Sequence, residues 1–524
     1  MIACHLAMRL ERPVRWLEDR REQLAGNANC REHDYRVTGY AAADGELLAV
    51  DCEALVDSGA YSSYPFSACL EAAQVVSILP GPYRMRGYRC RAWSVTTNKP
   101  PILPYRGVAR TGVCFAMELT MDALADELGM TPEAIRARNL VSPAEMPFTN
   151  ITKKDFDSGD YPEALRRAVA AIDADAVRAR QKGESGRVRT GLGFAIFCEQ
   201  GAHGTSVYHG WGIPMVPGFE QATARMTPDG GLELRVGVHS HGQGLETTLA
   251  QIAHSEIGID PARVKLVHGD TALTPYSTGT WGSRCIVMAG GAVGTATAAL
   301  GERLKAIAAH LMQARPEDVT LAEGYARAGA AEISLRDIAF TWYRKPQLLP
   351  PGVDPRGLEA TEGYRTVPDT GTFSYAAHAV VVEVDLDLGA VTLRDYVVVE
   401  DAGTMINPMI VDGQVLGGTV QGIGTALFEE MPYDTAGQPL ATTLADYHLP
   451  VAGDLPDIRL LHMETPSPIS RFGQKGIGER GAIGPPAAIA NAVNDALRPF
   501  GARVAEVPMT PERVLAALAA AGAA

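Results

Sequence analysis

The cysteines of this chain lack the close spacing that metal clusters require. All eight are scattered between Cys4 and Cys285, and no two of them form a C-x-x-C pair. Iron–sulfur and structural zinc sites are built from clustered thiolates, so we expect neither kind of site in this chain. Scattered cysteines are typical of a reducing compartment, where most act as small buried apolar residues.

An excess of basic residues is also lacking. Lysine and arginine number 47 against 61 aspartates and glutamates, which gives a net charge of −14. Without a general positive field, neither nucleic acid nor an anionic membrane surface is an expected partner. An anionic cofactor would therefore have to be held by local hydrogen-bond donors.

A secretory signal and a long apolar run are two further features that the sequence lacks. The first residues do not follow the charged, apolar and small-residue order of a signal segment, and no uninterrupted apolar run is long enough to cross a bilayer. These absences predict a cytoplasmic protein. With 524 residues and 46% hydrophobic residues, the chain is expected to form about two to four globular domains.

Strand and helix signals alternate along the sequence. Turn signals at 43–45, 228–231 and 387–389 separate β-branched runs, and 380–384 and 391–399 are the clearest of these runs. Several of the helical segments begin at proline or follow a Thr or Asp cap. The predicted helices are 115–128, 132–139, 162–171, 245–257, 288–312, 412–430, 486–497 and 511–521. This order predicts an α+β fold rather than a doubly wound α/β fold.

One acidic residue, Glu479, lies in a glycine-rich turn directly before an apolar helical run. Residues 475–486 read KGIGERGAIGPP. A carboxylate on such a turn can be held at a cavity wall, where glycines allow close approach of backbone and ligand, so Glu479 is a candidate base. The alternative is a solvated glutamate at a helix entrance, favoured by the helix dipole.

Three other glycine-flanked polar motifs point to ligand binding. Residues 239–248 read HSHGQGLETT before a helical pattern, and exposed backbone donors at a helix start bind anions. Residues 269–284 form a hydroxyl-rich loop ending at Arg284, which suits a phosphate-bearing ligand. Arg106 precedes Gly107, which allows close backbone approach. The alternatives are an ordinary helix cap, a long surface loop and a surface ion pair.

In this order, the motifs resemble those of the molybdopterin-binding large subunit of the xanthine dehydrogenase and aldehyde oxidase family. The resemblance extends from Arg12-Pro13-Val14 through Asn407-Pro408-Met409 and Gln421-Gly422-Ile423-Gly424 to Ala505. It implies two related molybdopterin-binding domains with mixed and antiparallel sheets and packed helices. Residues 1–150 are expected to be the C-terminal part of the first domain, 151–188 a linker with a helix, and 189–524 the second domain.

The resemblance also implies roles for individual residues. Glu479 matches the acidic residue that deprotonates a hydroxyl bound to molybdenum, and Arg106 and Gly107 match the loop beside the oxo group of the metal. The metal is held by the pterin, so no side chain is expected to ligate it. Further cofactor contacts are expected at His241, Gly242, Gln243, Gly244, Thr280, Gly282, Ser283, Arg284, Ala402, Thr404, Gln421 and Gly478.

The chemistry implied is hydroxylation of a small molecule at an electron-poor carbon, with oxygen derived from water. The cofactor is molybdopterin with molybdenum, and its cytosine dinucleotide form is one alternative. This chain shows no cluster motif and no dinucleotide fingerprint. The resemblance implies that a [2Fe-2S] subunit and an FAD subunit accept the electrons, as partners in a hetero-oligomer.

Two positions narrow the range of possible substrates. Gly107 stands where carbon monoxide-oxidising relatives carry cysteine, and Val108 stands where purine-oxidising relatives carry an aromatic residue. An aldehyde then ranks slightly ahead of a small N-heteroaromatic compound. A narrow apolar tunnel near Val108 and Gln74 would favour aldehydes, whereas a flat slot with paired donors would favour heterocycles. The glycine-rich loop with His203, His209 and Trp211 either lines the substrate funnel or is exposed.

Two family features are absent. A phenylalanine-glycine-glycine turn near the metal and the glutamine before it would precede the segment that opens this chain, and residues 1–8 read as the middle of a helix. We therefore expect the N-terminal part of the large subunit to be carried by a separate chain, lost, or cut off by a misassigned start. The rival interpretation is a non-catalytic cofactor-binding or assembly protein. The absent turn favours this rival, whereas Glu479 argues against it.

Overall fold

Helices and strands alternate through the whole chain in the computed structural model, which describes residues 2–30 and 32–522. Met1, where the predicted N-terminal helix begins, and Ala524, where the second predicted domain ends, lie outside the described residues. The helices are α1 Ile2–Leu10, α2 Arg20–Gly26, α3 Leu70–Ile78, α4 Ala109–Leu128, α5 Pro132–Asn139, α6 Tyr161–Ala171, α7 Ala174–Gln181, α8 Thr205–Gly210, α9 Leu245–Ile257, α10 Gly290–Met312, α11 Leu335–Arg344, α12 Pro408–Leu427, α13 Pro485–Leu497 and α14 Pro511–Ala520.

Most strands pair antiparallel, in five sheets. The strands are β1 His33–Ala41, β2 Leu47–Gly59, β3 Gly87–Thr96, β4 Phe148–Thr149, β5 Asp155–Phe156, β6 Val188–Gly201, β7 Glu220–Met226, β8 Leu232–Val236, β9 Val264–Val267, β10 Thr320–Ala322, β11 Tyr325–Ala328, β12 Ala331–Ser334, β13 Glu359–Tyr364, β14 Thr372–Asp385, β15 Val391–Asp401 and β16 Ile458–Met463. Their orders are β1-β2-β3, β4-β5, β10-β11-β12, β13-β7-β8-β9 and β16-β15-β14-β6. Parallel pairs join β2 to β3, β8 to β9 and β15 to β16. This confirms the predicted α+β class.

The sheet β16-β15-β14-β6 is buried on both faces. Along β14, Ala377 and Ala379 face one hydrophobic core, while Ala376 and Val380 face the other. The first core includes residues of β2, α4 and α6, and the second is built from α12, α13 and α14. Burial on both faces explains the continuous apolar run of β14, because neither set of alternating side chains meets water.

The first core joins the two predicted domains. It combines residues from before position 150 with residues of β6, β14 and β15. The predicted division at 151–188 stays a prediction, although α6, inside that segment, packs into this shared core through Tyr161 and Leu165. A third core lies between α9, α10 and the sheet β13-β7-β8-β9.

Three helices start differently from the prediction, each for its own local reason. Helix α4 begins at Ala109, six residues before the predicted start, and its cap residue Val108 makes no side-chain capping bond. Helix α12 begins at Pro408 because the Asn407 side chain accepts a hydrogen bond from the Ile410 N–H at 3.1 Å. Helix α10 is entered through a π-helical turn, Cys285–Ala289, a feature that often marks functional sites.

One segment, Cys285–Met312, is long and apolar enough to span a bilayer. However, 67% of its most apolar window is buried inside the structure. Its apolar residues pack in the third core against α9 and β13, as expected of the central helix of a globular fold.

Candidate active site

A single large cavity gathers most of the predicted site residues. Its volume is about 570 Å³. The predicted residues on its wall are Gln74, Arg106, Val108, His241, Gly242, Gln243, Thr280, Gly282, Ser283, Arg284, Ala402, Thr404, Gln421, Gly478 and Glu479. Gly107 and Gly244 adjoin this wall in sequence. The segments that carry these motifs are far apart along the chain, so the fold alone brings them together.

Helix starts converge on the cavity. Arg110, Leu245 and Ile410 lie in the first turns of α4, α9 and α12, and all three line the wall. The first turn of a helix lies at the positive end of its dipole, which favours a bound anion. The Arg110 N–H and the Ile410 N–H are already bonded to Gly107 O and to Asn407 Oδ1, so the helix dipoles rather than these N–H groups provide the local positive potential in a protein whose net charge is −14.

Glu479 projects into this cavity with only 12% of its side chain exposed. Its Oε1 accepts a hydrogen bond from the Gly107 N–H at 3.2 Å, and its own N–H donates to Ser283 Oγ at 3.1 Å. Arg110 Nη1 lies 3.9 Å from Glu479 Oε2. The carboxylate is thus oriented by one backbone donor and one cation while it still faces the cavity, as a base requires.

Two buried ion pairs fix the loop that carries Glu479. Lys475 Nζ lies 2.8 Å from Asp401 Oδ2, and Arg480 forms an ion pair with Glu400. All four side chains are fully buried, and both acids come from the end of β15. Burial lowers the pKa of Arg480 to about 10. Both flanks of Glu479 are therefore anchored to the central sheet.

Arg106 connects three segments at the edge of the cavity. Its guanidinium donates to Gly478 O at 2.5 Å, to Gln421 Oε1 at 2.9 Å and to Gln414 O at 3.0 Å. Gln421 Nε2 in turn donates to the Tyr105 hydroxyl at 3.0 Å. Arg106 and Gln421 thus lie together beside the loop that carries Glu479. This position is compatible with their predicted roles, which stay predictions.

The backbone around Glu479 is crowded and locally strained. A Cβ on Gly476 would lie 2.2 Å from the Ser283 carbonyl oxygen, so only glycine fits there. Val108 has φ 52° and Ser283 has φ 53°, which is rare for residues with a side chain, above all for a β-branched one. Such conformations persist where the surroundings impose them, and they cluster at functional sites.

The glycine loop before α9 is held by its own side chains. Gln243 Oε1 accepts from the His241 N–H at 2.6 Å, and Gln243 Nε2 donates to His239 O at 3.3 Å. His241 and Gly242 are exposed, and Gly244 caps the helix with φ 79°. His241, Gly242 and Gln243 line the same cavity as Glu479, so their predicted pterin contacts stay a prediction with a compatible position.

The loop before α10 holds the other predicted contacts. Thr280 Oγ1 accepts from the His239 N–H at 2.8 Å, which ties this loop to the glycine loop. Arg284 is buried and bonds to protein groups, with Nη2 lying 2.9 Å from Glu220 Oε1 and donating to Phe219 O at 2.8 Å. Arg284 lies at the wall as predicted, but its guanidinium also holds this loop to β7.

Residues 402–404 lie beside the loop that carries Glu479. Ala402 O accepts from the Lys475 N–H at 2.9 Å, and the Thr404 N–H donates to Gly473 O at 2.9 Å. These backbone hydrogen bonds hold the segment that follows β15 against the loop that carries Glu479. They bring the two predicted residues onto the same wall as Glu479.

An aromatic pocket opens beside Val108. The ring of Trp281 lies 4.9 Å from Phe66 and 4.8 Å from Tyr208, and Trp211 and Leu70 complete this cluster. Gln74, 3% exposed, lies at the same wall. In the described part of the chain, Gln74 Oε1 and Trp281 Nε1 are buried without a hydrogen-bond partner. The pocket therefore offers flat apolar walls, and two polar atoms without a partner are buried within these walls.

His203 and Trp211 line this pocket, whereas His209 is exposed. His203 Nε2 lies 2.9 Å from Arg110 Nη2, and His203 Nδ1 lies 3.0 Å from the Tyr208 hydroxyl. Burial, reinforced by the Arg110 charge, holds the pKa of His203 well below its usual range. His203 is therefore neutral and accepts the hydrogen bond of Arg110.

Sequence reasoning missed the groups behind the cavity wall. Glu199 is fully buried at the end of β6, where the Ser283 hydroxyl donates to its Oε1. Burial, together with the Glu479 charge, raises the pKa of Glu199 to about 7. Arg110, Tyr208 and Phe66 were also not predicted. A usable signal was present for Glu199, which is an acidic residue closing the apolar strand LGFAIFCEQ.

The comparisons with known proteins agree with this geometry. Residues 1–140 and 167–456 both match the molybdopterin cofactor-binding domain family. The nicotine 6-hydroxylase large subunit of Paenarthrobacter nicotinovorans is 37% identical over 513 residues, which is 97% of this chain and 62% of that protein. The carbon monoxide dehydrogenase large chain of Hydrogenophaga pseudoflava is 33% identical over 96% of this chain and 63% of its own length.

The chain belongs to the molybdopterin-binding large subunits of the xanthine dehydrogenase and aldehyde oxidase family. The fold of this molybdopterin-binding chain is similar to quinoline 2-oxidoreductase from Pseudomonas putida 86, with a TM-score of 0.93 and 36% identity. That match covers 99% of this chain and 66% of the other. The chain thus spans slightly less than two thirds of the length of these relatives.

The residues of the cavity fit a pyranopterin. Such a group is anionic and rich in hydrogen-bonding atoms, and the wall offers helix starts, the hydroxyls of Thr280 and Ser283 and the amides of Gln243 and Gln421. Glycine 242 would let a ligand approach the backbone closely, since no atom lies within 4 Å of a Cβ built there. The donor set and the space therefore suit the cofactor that the family binds.

Proposed function

We propose that this chain is the catalytic large subunit of a molybdenum hydroxylase that inserts water-derived oxygen at an electron-poor carbon of an N-heteroaromatic compound. The observation that carries the proposal is the position of Glu479, an oriented carboxylate with 12% exposure that faces the family's cofactor cavity. A protein that only bound the pterin would not need a base there, which argues against the non-catalytic alternative.

The cofactor would lie between the glycine loop, the loop before α10 and the Glu479 loop. When bound, molybdopterin with its molybdenum supplies Lewis-acid and redox chemistry. The chain supplies the base, because Glu479 takes a proton from the water-derived nucleophile. The Gly107 N–H and Arg110 hold that carboxylate in place, and the rigid anchoring of its loop keeps the proton-transfer distance fixed.

The pocket beside Val108 favours a heterocycle over an aldehyde. Four aromatic side chains, Phe66, Tyr208, Trp211 and Trp281, present apolar surface on which a flat ring can stack. Trp281 Nε1 and Gln74 Oε1 are buried without a partner, and each would have to turn toward the ring to pair with its polar groups. The sequence ranked aldehydes slightly ahead, and the side chains that surround this pocket reverse that order.

Two relatives support the same substrate class by name. They are a nicotine 6-hydroxylase large subunit and a quinoline 2-oxidoreductase, and their names refer to N-heteroaromatic compounds. Steady-state assays of the purified holo-complex with pyridine- and quinoline-type compounds and with aldehydes of similar size test the proposal. We expect kcat/KM to be at least about tenfold higher for the heterocycles, and labelled oxygen from isotopically enriched water in the product. A preference for aldehydes would overturn the substrate class.

Partner subunits complete the proposed enzyme. A [2Fe-2S] subunit and an FAD subunit would carry electrons away, and the cytoplasm would supply the reducing conditions for the free thiols. A partner subunit would pack on the exposed apolar side chains near α1. Of these, Met8 is 78% exposed, Trp16 69% and Leu17 80%.

Molybdenum analysis separates the two main interpretations. The chain would be purified alone and after co-expression with the genes that flank its own, and its molybdenum content and turnover would be measured. We expect near-stoichiometric metal and turnover only with the partners present. Stoichiometric metal without turnover under every co-expression condition would favour the non-catalytic alternative.

A further inference from the structure

We propose that Glu199 is a positioning residue for the base, and that it sets the hydrogen bonding of Glu479 through the hydroxyl of Ser283. This inference rests on the proposed function for its effect on turnover. The two carboxyls behave as one coupled pair across the cavity wall, with Glu479 on the cavity side and Glu199 on the buried side.

One hydroxyl connects the two acids. Ser283 Oγ donates to Glu199 Oε1 and lies 3.5 Å from Glu479 Oε2, while it accepts the Glu479 N–H at 3.1 Å. The backbone holds this hydroxyl in place, since Ser283 has φ 53° and Gly476 packs directly against its carbonyl. On its other oxygen, Glu199 accepts from Ser374 Oγ at 3.3 Å.

A serine carries only one hydroxyl proton, so it cannot serve both acids as donor. When Glu199 is ionised, the Ser283 proton points to Glu199, and Glu479 loses that donor. When Glu199 is protonated, it can itself donate to Ser283, whose proton is then free to turn toward Glu479. The protonation state of the buried acid therefore decides whether the base is stabilised by a hydrogen bond or destabilised by a neighbouring charge.

The charged groups around Glu199 do not neutralise it fully. Burial disfavours its ionised form most, the Glu479 charge adds to this effect, and the Arg110 and Arg480 charges oppose it. Arg480 is ion-paired to Glu400, and Arg110 is shared with His203 and Glu479. Arg106 and the Cys198 thiol lie within electrostatic range of Glu199. No cation is thus devoted to Glu199 among the described residues whose interactions surround it.

Below about pH 7 Glu199 is therefore mainly protonated, which leaves the Ser283 hydroxyl proton free to turn toward Glu479 in the resting state. In the proposed reaction, Glu479 gains a proton from the nucleophile. The charge next to Glu199 is then lost, so Glu199 ionises more easily after the proton transfer.

Infrared titration of the purified chain tests the coupling without turnover. The protonated carboxyl band that disappears in Glu199→Gln identifies Glu199, and in the wild-type chain we expect its loss with a midpoint near pH 7. In Glu479→Gln the midpoint should fall by roughly one pH unit, because the neighbouring charge is gone. Asp122→Asn is the matched control, because this buried acid pairs with Arg136 away from the cavity. Replacing Asp122 should leave the midpoint of the Glu199 titration unchanged.

Two infrared results would overturn the proposal. In the first, the band of protonated Glu199 is already absent at pH 6. In the second, the midpoint of the Glu199 titration is the same in Glu479→Gln as in the wild type. The titration of Glu479→Gln leaves Glu199 intact, so the test remains valid even if Glu199→Gln fails to fold. If the infrared coupling holds while the complex turns over no substrate, the assignment of Glu199 stands and the proposed reaction fails.

The active complex provides a second readout. In the wild-type complex we expect an inflection of the kcat/KM profile near pH 7, where Glu199 ionises, and in Glu199→Gln this inflection should be absent, with a smaller change in KM. In Ser283→Ala the inflection should be less than half as large, since the bridging hydroxyl is absent. An inflection of equal size with and without the Ser283 hydroxyl would contradict a role for Ser283 as the connection.

Discussion

Two loops that line the cavity are held in different ways. The loop 475–480 with Glu479 is here called the first wall, and the glycine loop 239–244 before α9 is called the second wall. The loop that carries Glu479 is flanked by two fully buried ion pairs to β15, whereas the glycine loop before α9 is held by short hydrogen bonds among its own partly exposed residues. Arg106 adds a third attachment to the first wall. The second wall is tied to the rest of the site mainly through Thr280.

The difference follows the chemistry expected on each side. Proton transfer depends steeply on distance, so a base gains from a loop that cannot shift. Pterin binding sums many weaker contacts, and a loop rich in glycine tolerates small adjustments while its backbone donors stay available. The comparison predicts that changes in the first wall affect turnover and stability strongly, and that changes in the second affect cofactor occupancy moderately.

The largest expected effect is at the base. Glu479→Gln should lower kcat by about 10²- to 10⁴-fold, because it removes the proton acceptor while preserving shape. Molybdenum content should stay near wild type, as measured by elemental analysis of the same preparation. Glu302→Gln, an exposed glutamate on α10, is the control and should change neither quantity. A normal rate in Glu479→Gln would remove Glu479 from the mechanism.

The next effect tests the anchoring of the first wall. Lys475→Met should destabilise the chain by about 3–5 kcal/mol, because it leaves the Asp401 carboxylate buried and without its cation. Denaturant titration measures this loss. Arg315→Met breaks an exposed pair with Asp318 and should leave the unfolding midpoint unchanged. Similar effects of the two substitutions would mean that the buried pair does not anchor the loop.

A moderate effect is expected on the second wall. Gln243→Ala should lower molybdenum occupancy several-fold, since it removes about 1 kcal/mol of hydrogen bonding from the loop and from the pterin contact predicted there. Metal analysis after purification under limiting cofactor measures the change. The exposed Gln347, remote from the cavity wall, provides the control substitution to alanine. Unchanged metal content in Gln243→Ala would count against the predicted pterin contact.

The smallest expected effect is a pH dependence of stability. The pKa of Glu199 is raised in the folded chain from its ordinary value of 4.5 to about 7, so the folded state binds more protons between these values. Its contribution to stability is therefore fully present below about pH 4.5 and is lost as the pH rises toward 7. Thermal unfolding of Glu199→Gln and wild type should show the variant gaining relative stability over this interval. A difference independent of pH would contradict the shifted titration.

Much of the fold followed from local patterns in the sequence. The helices α5, α9 and α14 begin where they were predicted to begin, because proline or a glycine cap marks the first turn. The parallel pairings of β2 with β3 and of β15 with β16 were not predicted, since they depend on contacts between distant segments. The early start of α4 was also missed, because Val108 is an unusual cap.

Glycine marks three of the loops that the structure brings to the cavity, whereas a strand supplies a residue that was not predicted. Gly242, Gly282 and Gly478 line the cavity, and the spacing of glycines is visible within one segment of the sequence. The cofactor and catalytic roles of these loops stay predictions. Glu199 gave one local signal, as an acidic residue at the end of an apolar strand, but its contact with Ser283 arises only through tertiary packing. The same holds for the cluster of Phe66 with Tyr208, which no local pattern distinguished from core residues.

The most direct test of the central claim is an experimental structure of the complete complex with its cofactor. The account predicts that the pterin lies between the loops that carry Gln243 and Ser283, with its metal facing the Glu479 carboxylate beside the Gly107 N–H. A pterin bound elsewhere, or a Glu479 side chain turned away from the metal into the protein, would contradict it.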